Sequence, residues 1–249
     1  MYILNGQLHG VENGRGLMGE LIVLIPTRNE ERGVREVIER IPKEILQRQG
    51  FDVRVLVVDG RSKDRTVEIA QEMGAEIVIQ KGPKGKGNGV REAFSILFSE
   101  DSELEKLVIM LDGDATYHPE DIPRFVEELQ KYEIVWGSRI RGKIQKEAMS
   151  FTNNLGNRIL SLVASVVFLS RTTDVCTGFW GFRESALRRM NLTAGGFNLE
   201  ADLFCSSKKM KMRTREIVID YDHREGDTKL KWYKDGPKIM MKIIKKRFT

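Results

Sequence analysis

The feature that most constrains the fold is an alternation. Along the first two-thirds of the chain, short apolar runs alternate with segments of helical spacing. Leu21–Ile25 reads as a buried strand stopped by Pro26, and Glu30–Arg40 carries apolar residues at helical spacing (Val34, Val37, Ile38, Ile41) up to Pro42. Val53–Val58 predicts a second strand, Thr66–Met73 a short helix capped by Ser62 or Asp64, and Glu76–Gln80 a third strand. A basic, glycine-rich loop, Lys81–Gly89, leads into a helix ending near Phe98. Leu107–Leu111 predicts a fourth strand, Pro119–Gln130 a helix with proline in its first turn, and Ile134–Gly137 a fifth strand. Strands separated by helices imply βαβ units and a mostly parallel sheet. The connections are too short for a domain boundary in this part.

After Arg139 the pattern changes. Arg141–Glu147 reads as a basic, flexible linker, and Phe151–Leu169 as a helix that is apolar nearly all round in its C-terminal half. Gly178–Phe182 and Arg215–Tyr221 read as strands, Glu184–Met190 and Leu199–Met210 as helices. A polar loop, His223–Thr228, then precedes a basic helix starting at Pro237. With 249 residues and 41% hydrophobic content, a disordered chain is excluded. The longest uncharged apolar stretch, Ile159–Ser170, falls short of the roughly 20 residues that span a bilayer. Met1–Glu20 has no apolar segment of the secretory type and is expected to be an extension. Cys176 and Cys205 form neither a CxxC nor a zinc set, so a reduced, intracellular chain is the default. The formal net charge is +5, yet Lys229–Thr249 alone carries +7, which points to an anionic partner for that end.

The sharpest chemical signal is Leu107–Asp114, an apolar strand ending in Asp112-Gly113-Asp114. Open α/β sheets bind ligands beyond the carboxyl ends of their strands. Two carboxylates there suit Mg²⁺, which takes one or two and completes its shell with water and substrate phosphates. An acidic loop that merely solvates a strand end explains the same residues. An EF-hand is excluded, because Tyr117 stands where its turn needs glycine. The run Asp112-Gly-Asp-Ala-Thr116 also fits the D-x-D-x-T of haloacid-dehalogenase-type phosphotransferases, but that motif belongs on a first strand and three strands precede it here.

Weaker signals follow the other strands. Pro26-Thr-Arg-Asn-Glu30 offers backbone groups and Glu30 to a ring or sugar, although a helix cap at Thr27 or Asn29 is the plainer reading. Asp59, at the end of the second strand, suits a nucleoside, while Asp64 suits a turn. The loop Gly82–Gly89 is neither G-x-G-x-x-G nor a Walker A, but it could present N–H groups and Lys86 to a diphosphate.

Taken together, these residues carry a resemblance. Pro26-Thr-Arg-Asn-Glu30, Asp59-x-x-Ser62-x-Asp64-x-Thr66, Gly85-Lys-Gly-x-Gly89, Asp112-x-Asp114 and Gly137-Ser-Arg139 stand in the order of family 2 glycosyltransferases of GT-A fold. Thr177-Gly178-Phe179, Phe197-x-x-Glu200 and Arg224-x-Gly226-x-x-Lys229 resemble the dolichyl-phosphate mannose synthase branch. The resemblance implies an α/β GT-A domain over residues 21–236, with 1–20 an extension and 237–249 a basic amphipathic tail. It implies a nucleoside-diphosphate sugar donor, GDP-mannose or UDP-glucose, held by Pro26, Thr27, Glu30, Asp59, Lys86 and Asp112. Asp112 and Asp114 would carry Mg²⁺ or Mn²⁺, a Lewis acid for the leaving diphosphate. The acceptor would be a polyprenyl phosphate, already ionised and gripped by Arg139, Arg224 and Lys229.

The chain departs from that pattern at Gly60, at Arg28, and at Met149 and Asn153, where an Arg and a Ser are expected for the acceptor phosphate. A soluble acceptor, a sugar or phosphorylated acid, is therefore the alternative; a neutral hydroxyl would need a base, Glu200 or Asp202. In the tail, Ile239, Met240, Ile243 and Ile244 among Lys238, Lys242, Lys245 and Lys246 resemble an interfacial helix on anionic lipid, with a docked terminal helix as the plainer reading. The expectation is a metal-dependent, inverting enzyme, peripheral on the cytoplasmic face of a membrane. Nucleic acid is not expected, since the aromatics do not interleave with the cations.

Overall fold

The computed structural model describes residues 2–4, 7–9, 19–99, 105–224 and 232–248. Two short strands, β1 (Tyr2–Leu4) and β2 (Gln7–His9), pair antiparallel ahead of the main sheet. The first half then runs β3 (Gly19–Thr27), α1 (Val34–Glu39), α2 (Lys43–Arg48), β4 (Phe51–Asp59), α3 (Thr66–Glu72), β5 (Glu76–Ile79), α4 (Lys86–Ser99) and β6 (Lys106–Met110). The second half comprises α5 (Ile122–Leu129), β7 (Ile134–Ser138), α6 (Phe151–Phe168), β8 (Trp180–Arg183), α7 (Glu184–Arg189), α8 (Leu199–Lys209), β9 (Thr214–Val218) and α9 (Trp232–Phe248).

Seven strands form one sheet in the order β5-β4-β3-β6-β8-β7-β9. Within it β8 runs antiparallel to β6 and β7, and the other pairings are parallel. The α/β, mostly parallel reading is therefore correct, and β8 and β9 join the later segment to the same sheet. Strand β3 lies in the interior of the sheet, between β4 and β6. Leu21, Val23 and Ile25 pack with α1, α3 and α5, while Ile22 and Leu24 pack on the opposite layer with α4, α6, α8 and α9. A strand covered on both faces has no use for polar alternation, which is why its sequence is continuously apolar.

Helix α1 ends before Pro42, as the sequence predicts, and Pro42 is in addition the cap from which a further short helix, α2, starts, consistent with proline's preset φ and missing N–H. Two expectations need correcting. The segment 141–147 is no loose linker. Tyr221 N donates to Lys143 O and Gln145 N to Tyr221 O, both at 2.9 Å, and Lys143 N reaches Asp220 Oδ1 at 2.8 Å. Finally, the basic helix starts at Trp232 with Pro237 inside it, and its apolar face is divided. Ile239 and Ile243 are buried in the core against α6 and α8, while Ile244 stays exposed. Buried Asp202 on α8 anchors the helix through Lys246 at 2.9 Å and Lys242 at 3.5 Å.

Candidate active site

The carboxyl ends of β3, β4 and β6 open onto one cavity of about 1220 Å³. The loops after β3 and β4 are stitched to each other. Asn29 N donates to Ser62 Oγ (2.8 Å), Glu30 N to Thr66 Oγ1 (2.8 Å) and Glu31 N to Asp64 Oδ2 (3.1 Å). Asp64 Oδ1 also accepts from N and Oγ1 of Thr66, the first residue of α3, whereas the N-cap position itself is Arg65 and carries no side-chain cap, so neither Ser62 nor Asp64 is the N-cap. The Ser62-x-Asp64-x-Thr66 motif thus does local work: it fixes the Pro26–Glu30 turn, in which Asn29 adopts φ 51°.

Pro26, Thr27, Glu30 and Gly60 line the cavity. Asp59 is not among the lining residues. It is buried, and its carboxylate accepts from Ser62 N (2.8 Å), Ser62 Oγ and Thr27 Oγ1 (3.4 Å). It therefore shapes the turn that presents Gly60.

The paired aspartates are held by different partners. Asp114 Oδ1 accepts from Thr116 Oγ1 (2.6 Å) and Thr116 N (3.2 Å), which turns Oδ2 outward. That Oδ2 is buried with no hydrogen-bond partner among the described residues, and Arg224 Nη2 faces it as an ion pair at 2.5 Å. Asp112 Oδ1 pairs with Lys86 Nζ at 2.6 Å, and the same ammonium reaches Glu200 Oε1 at 2.6 Å. Burial disfavours the Lys86 ammonium, but Asp112 and Glu200 outweigh it and hold its pKa above the ordinary lysine value. Burial likewise pushes the Asp112 carboxyl up, and Lys86 more than reverses this, leaving it below the usual range. Glu200 keeps a raised pKa: burial dominates, with Lys86 opposing and the charge of Asp112 adding to it.

Glycines make these approaches possible. A Cβ on Gly178 would collide with the Asp112 carboxylate. Gly178 N is held by Tyr117 Oη at 2.6 Å, which accounts for the Thr177-Gly178-Phe179 motif. Gly85, at φ 138°, lies where a side chain would strike Gly195 O. The glycine loop therefore packs against residues 194–196, and α4 begins directly at Lys86, earlier than the sequence suggests.

Arg139 follows β7 and lines the cavity, but one edge of its guanidinium is occupied. Nε and Nη2 donate to buried Asp174 at 2.7 and 2.8 Å, and Asn157 Nδ2 donates to the same carboxylate at 2.7 Å. Burial opposes its charge, and Asp174 more than compensates, so its pKa stands well above the ordinary arginine value. Arg224 also lines the cavity, with Nη1 3.9 Å from Glu30 Oε1. Met149, Asn153 and Phe197 form part of the wall, whereas Asp202 does not. Lys229 lies outside the described residues.

Residues 22–190 match the family model for Glycosyl transferase family 2. The chain belongs to this family. As a family 2 member it is a glycosyltransferase, and the expected α/β GT-A architecture holds. Among its relatives, glycosyltransferase AglJ of Haloferax volcanii is 33% identical over 230 residues, covering 91% of this chain and 72% of the relative. A dolichyl-phosphate hexose transferase of the same organism is 31% identical over 227 residues, covering 91% and 93%. A crystal structure of glucosyl-3-phosphoglycerate synthase from Mycobacterium tuberculosis superposes with a TM-score of 0.70 at 18% identity, covering 92% and 80%, and shares the fold.

The family 2 motifs located the cavity but not its internal wiring. The roles of Thr116, Tyr117, Asn157 and Asp174 are not predicted by those motifs. Thr116 had a visible signal, the third position of D-x-D-x-T. Asp174 had none, because its partner lies 35 residues earlier.

Proposed function

We propose that this glycosyltransferase moves a hexose from a nucleoside diphosphate to a polyprenyl phosphate of the dolichyl type, with inversion, as a peripheral enzyme on the cytoplasmic face of a membrane. The observation that carries this reading is the make-up of the cavity. Its floor presents Asp112, Asp114, Lys86 and Arg224, while Ala148, Met149, Phe151, Leu160 and Ile239 make another part of its wall apolar. An anionic head on an apolar chain suits such a wall. The 31%-identical relative named a dolichyl-phosphate hexose transferase supports the same choice.

Asp112 and Asp114 fit a divalent cation, Mg²⁺ or Mn²⁺. Asp114 Oδ2 is a buried carboxylate oxygen aimed by Thr116, and the positive charge now opposite it is the guanidinium of Arg224, which a metal ion would displace. Among the described residues no cluster of three or more His, Cys, Asp or Glu forms a self-sufficient metal site, so donor phosphates would complete the shell. When bound, the cation supplies charge neutralisation for the departing diphosphate.

The chain's own residues do the rest. The Pro26–Glu30 turn and Gly60 present backbone to the nucleoside. Lys86, fixed as an ammonium at the start of α4, offers its charge to the donor phosphates. Arg224 is positioned to exchange its contact with Asp114 for a phosphate oxygen, where a guanidinium makes strong, oriented bonds. Arg139 adds positive potential while Asp174 and Asn157 keep it in place. An oxygen of the acceptor phosphate then attacks the anomeric carbon as the bond to the diphosphate breaks. That oxygen is already anionic, so the reaction needs positioning more than a base. Glu200 serves to hold Lys86.

The test is transfer itself. Labelled sugar from GDP-mannose or UDP-glucose, incubated with dolichyl phosphate and Mn²⁺, is expected in the organic phase on extraction. Label that stays in the aqueous phase with a phosphorylated small acceptor would replace this reading with the soluble-acceptor one.

A further inference from the structure

Helix α6 presents a surface that a water-soluble helix does not ordinarily show. Of its seven exposed positions five are apolar, the others being Thr152 and Arg158. Phe151, Leu155, Ile159, Leu162 and Val166, continued by Leu169 at the C-cap, recur every three or four residues and so form one stripe. The outer residues are far from marginal: Leu162 is 65% exposed, Val166 64% and Leu169 87%. The neighbouring helix α9, which packs against α6, adds exposed Met241, Ile244 and Phe248 at the same kind of spacing. Exposed apolar patches of this extent mark interaction surfaces.

The charge around the stripe selects the occupant. Helix α6 contains no acidic residue, and its exposed flanks carry Arg158 and, just beyond the C-cap, Arg171. On α9 the exposed apolar residues are interspersed with exposed Lys238, Lys245 and Arg247. An apolar stripe rimmed by cations matches the boundary of an anionic bilayer, where the side chains enter the acyl region and the cations meet headgroups. The stripe also begins at the cavity, since Phe151 belongs to both.

We propose that α6, assisted by the outer face of α9, is the membrane-docking face of this protein, and that it lays the cavity mouth on an anionic lipid surface. This rests on the polyprenyl-phosphate reading for its purpose. It also moves the lipid contact from the inner residues of the C-terminal helix, which are buried in the core, to a face formed mainly by α6.

The test is co-sedimentation of the full chain with vesicles of phosphatidylcholine and phosphatidylglycerol, with neither sugar donor nor polyprenyl phosphate present. The double variant Leu162→Glu, Val166→Glu changes exposed positions that do not line the cavity. Its fold is checked by circular dichroism and thermal melting. The wild type is expected to bind and the variant to bind at least about tenfold more weakly, since losing the burial of one such side chain is itself a change of that order. Added salt should weaken binding of the wild type.

Equal binding by both proteins, or none by the wild type, overturns the proposal. So does a wild-type dimer in sedimentation velocity that the double variant abolishes without any vesicle binding, for then a second copy covers the face. Because no transfer is measured, the outcome stands apart from the acceptor assignment. Vesicle binding lost in the variant, in a protein that glycosylates only soluble acceptors, would leave the docking face standing and remove its proposed purpose.

Discussion

Replacing Lys86 by Met tests the electrostatic frame of the cavity. The substitution keeps the apolar stem and removes the ammonium that lies 2.6 Å from both Asp112 and Glu200. Removing one partner of a buried ion pair costs about 3–5 kcal/mol, because the other charge is left without compensation. Here two carboxylates are left. In the wild type, Lys86 pulls Asp112 below the usual carboxylate range and opposes the burial that raises Glu200. Without it, the pair should take up a proton in the folded state at a pH where the unfolded chain holds both carboxyls ionised. A folded state that binds more protons than the unfolded one loses stability as pH rises, by about 1.4 kcal/mol per pH unit for one proton. The penalty of Lys86→Met should therefore be near its full size at pH 8 and much smaller at pH 5. Urea unfolding of both proteins at the two pH values measures this. A penalty that is absent at pH 8, or equal at both, would refute the counter-ion role.

Two further outcomes follow from other ion pairs of the molecule. Asp202→Asn should lower stability by about 3–5 kcal/mol at neutral pH, because it leaves Lys242 and Lys246 against a neutral group; thermal unfolding reads the loss. Burial pushes the Asp202 carboxyl up, but Lys246 and two backbone N–H groups more than reverse this. Its contribution is thus complete above the unfolded value of about 3.9 and is lost as pH falls through the lower folded value, so the variant should be less sensitive to acid. Arg224→Gln should strengthen Mn²⁺ binding in the absence of nucleotide, read by electron paramagnetic resonance, while weakening transfer. Unchanged Mn²⁺ affinity would show that Arg224 and the cation do not compete for Asp114.

The sheet was legible because strands such as β3 and β6 are apolar without interruption, and burial on both faces requires that. Helix α2 was hidden because it is only six residues long and opens on Pro42, which punctuates a sequence whether a helix ends or starts there. The antiparallel placement of β8 between β6 and β7 depends on long-range pairing that no local pattern records. In the site, motif order brought Asp112, Asp114, Lys86, Glu200 and Arg224 to one cavity. The motifs did not reveal that Asp59 faces its own turn, or that Arg139 is anchored by Asp174. Those are consequences of which neighbour satisfies a buried charge: Asp59 is held by Ser62, three residues on, and by Thr27, 32 residues earlier, while the partner of Arg139 lies 35 residues away. The division of the C-terminal helix was equally hidden, since an apolar stripe has the same spacing whether it meets a core or a lipid.

The central claim is that the donor's diphosphate is held against Asp112 and Asp114 through a divalent cation. Titration calorimetry of GDP and UDP into the wild type and Asp114→Ala, each with and without Mn²⁺, tests it most directly. The account predicts that one nucleotide binds the wild type with Mn²⁺, binds much more weakly without it, and loses the Mn²⁺ effect in the variant. Equal affinity with and without Mn²⁺, or an undiminished Mn²⁺ effect in Asp114→Ala, would contradict it.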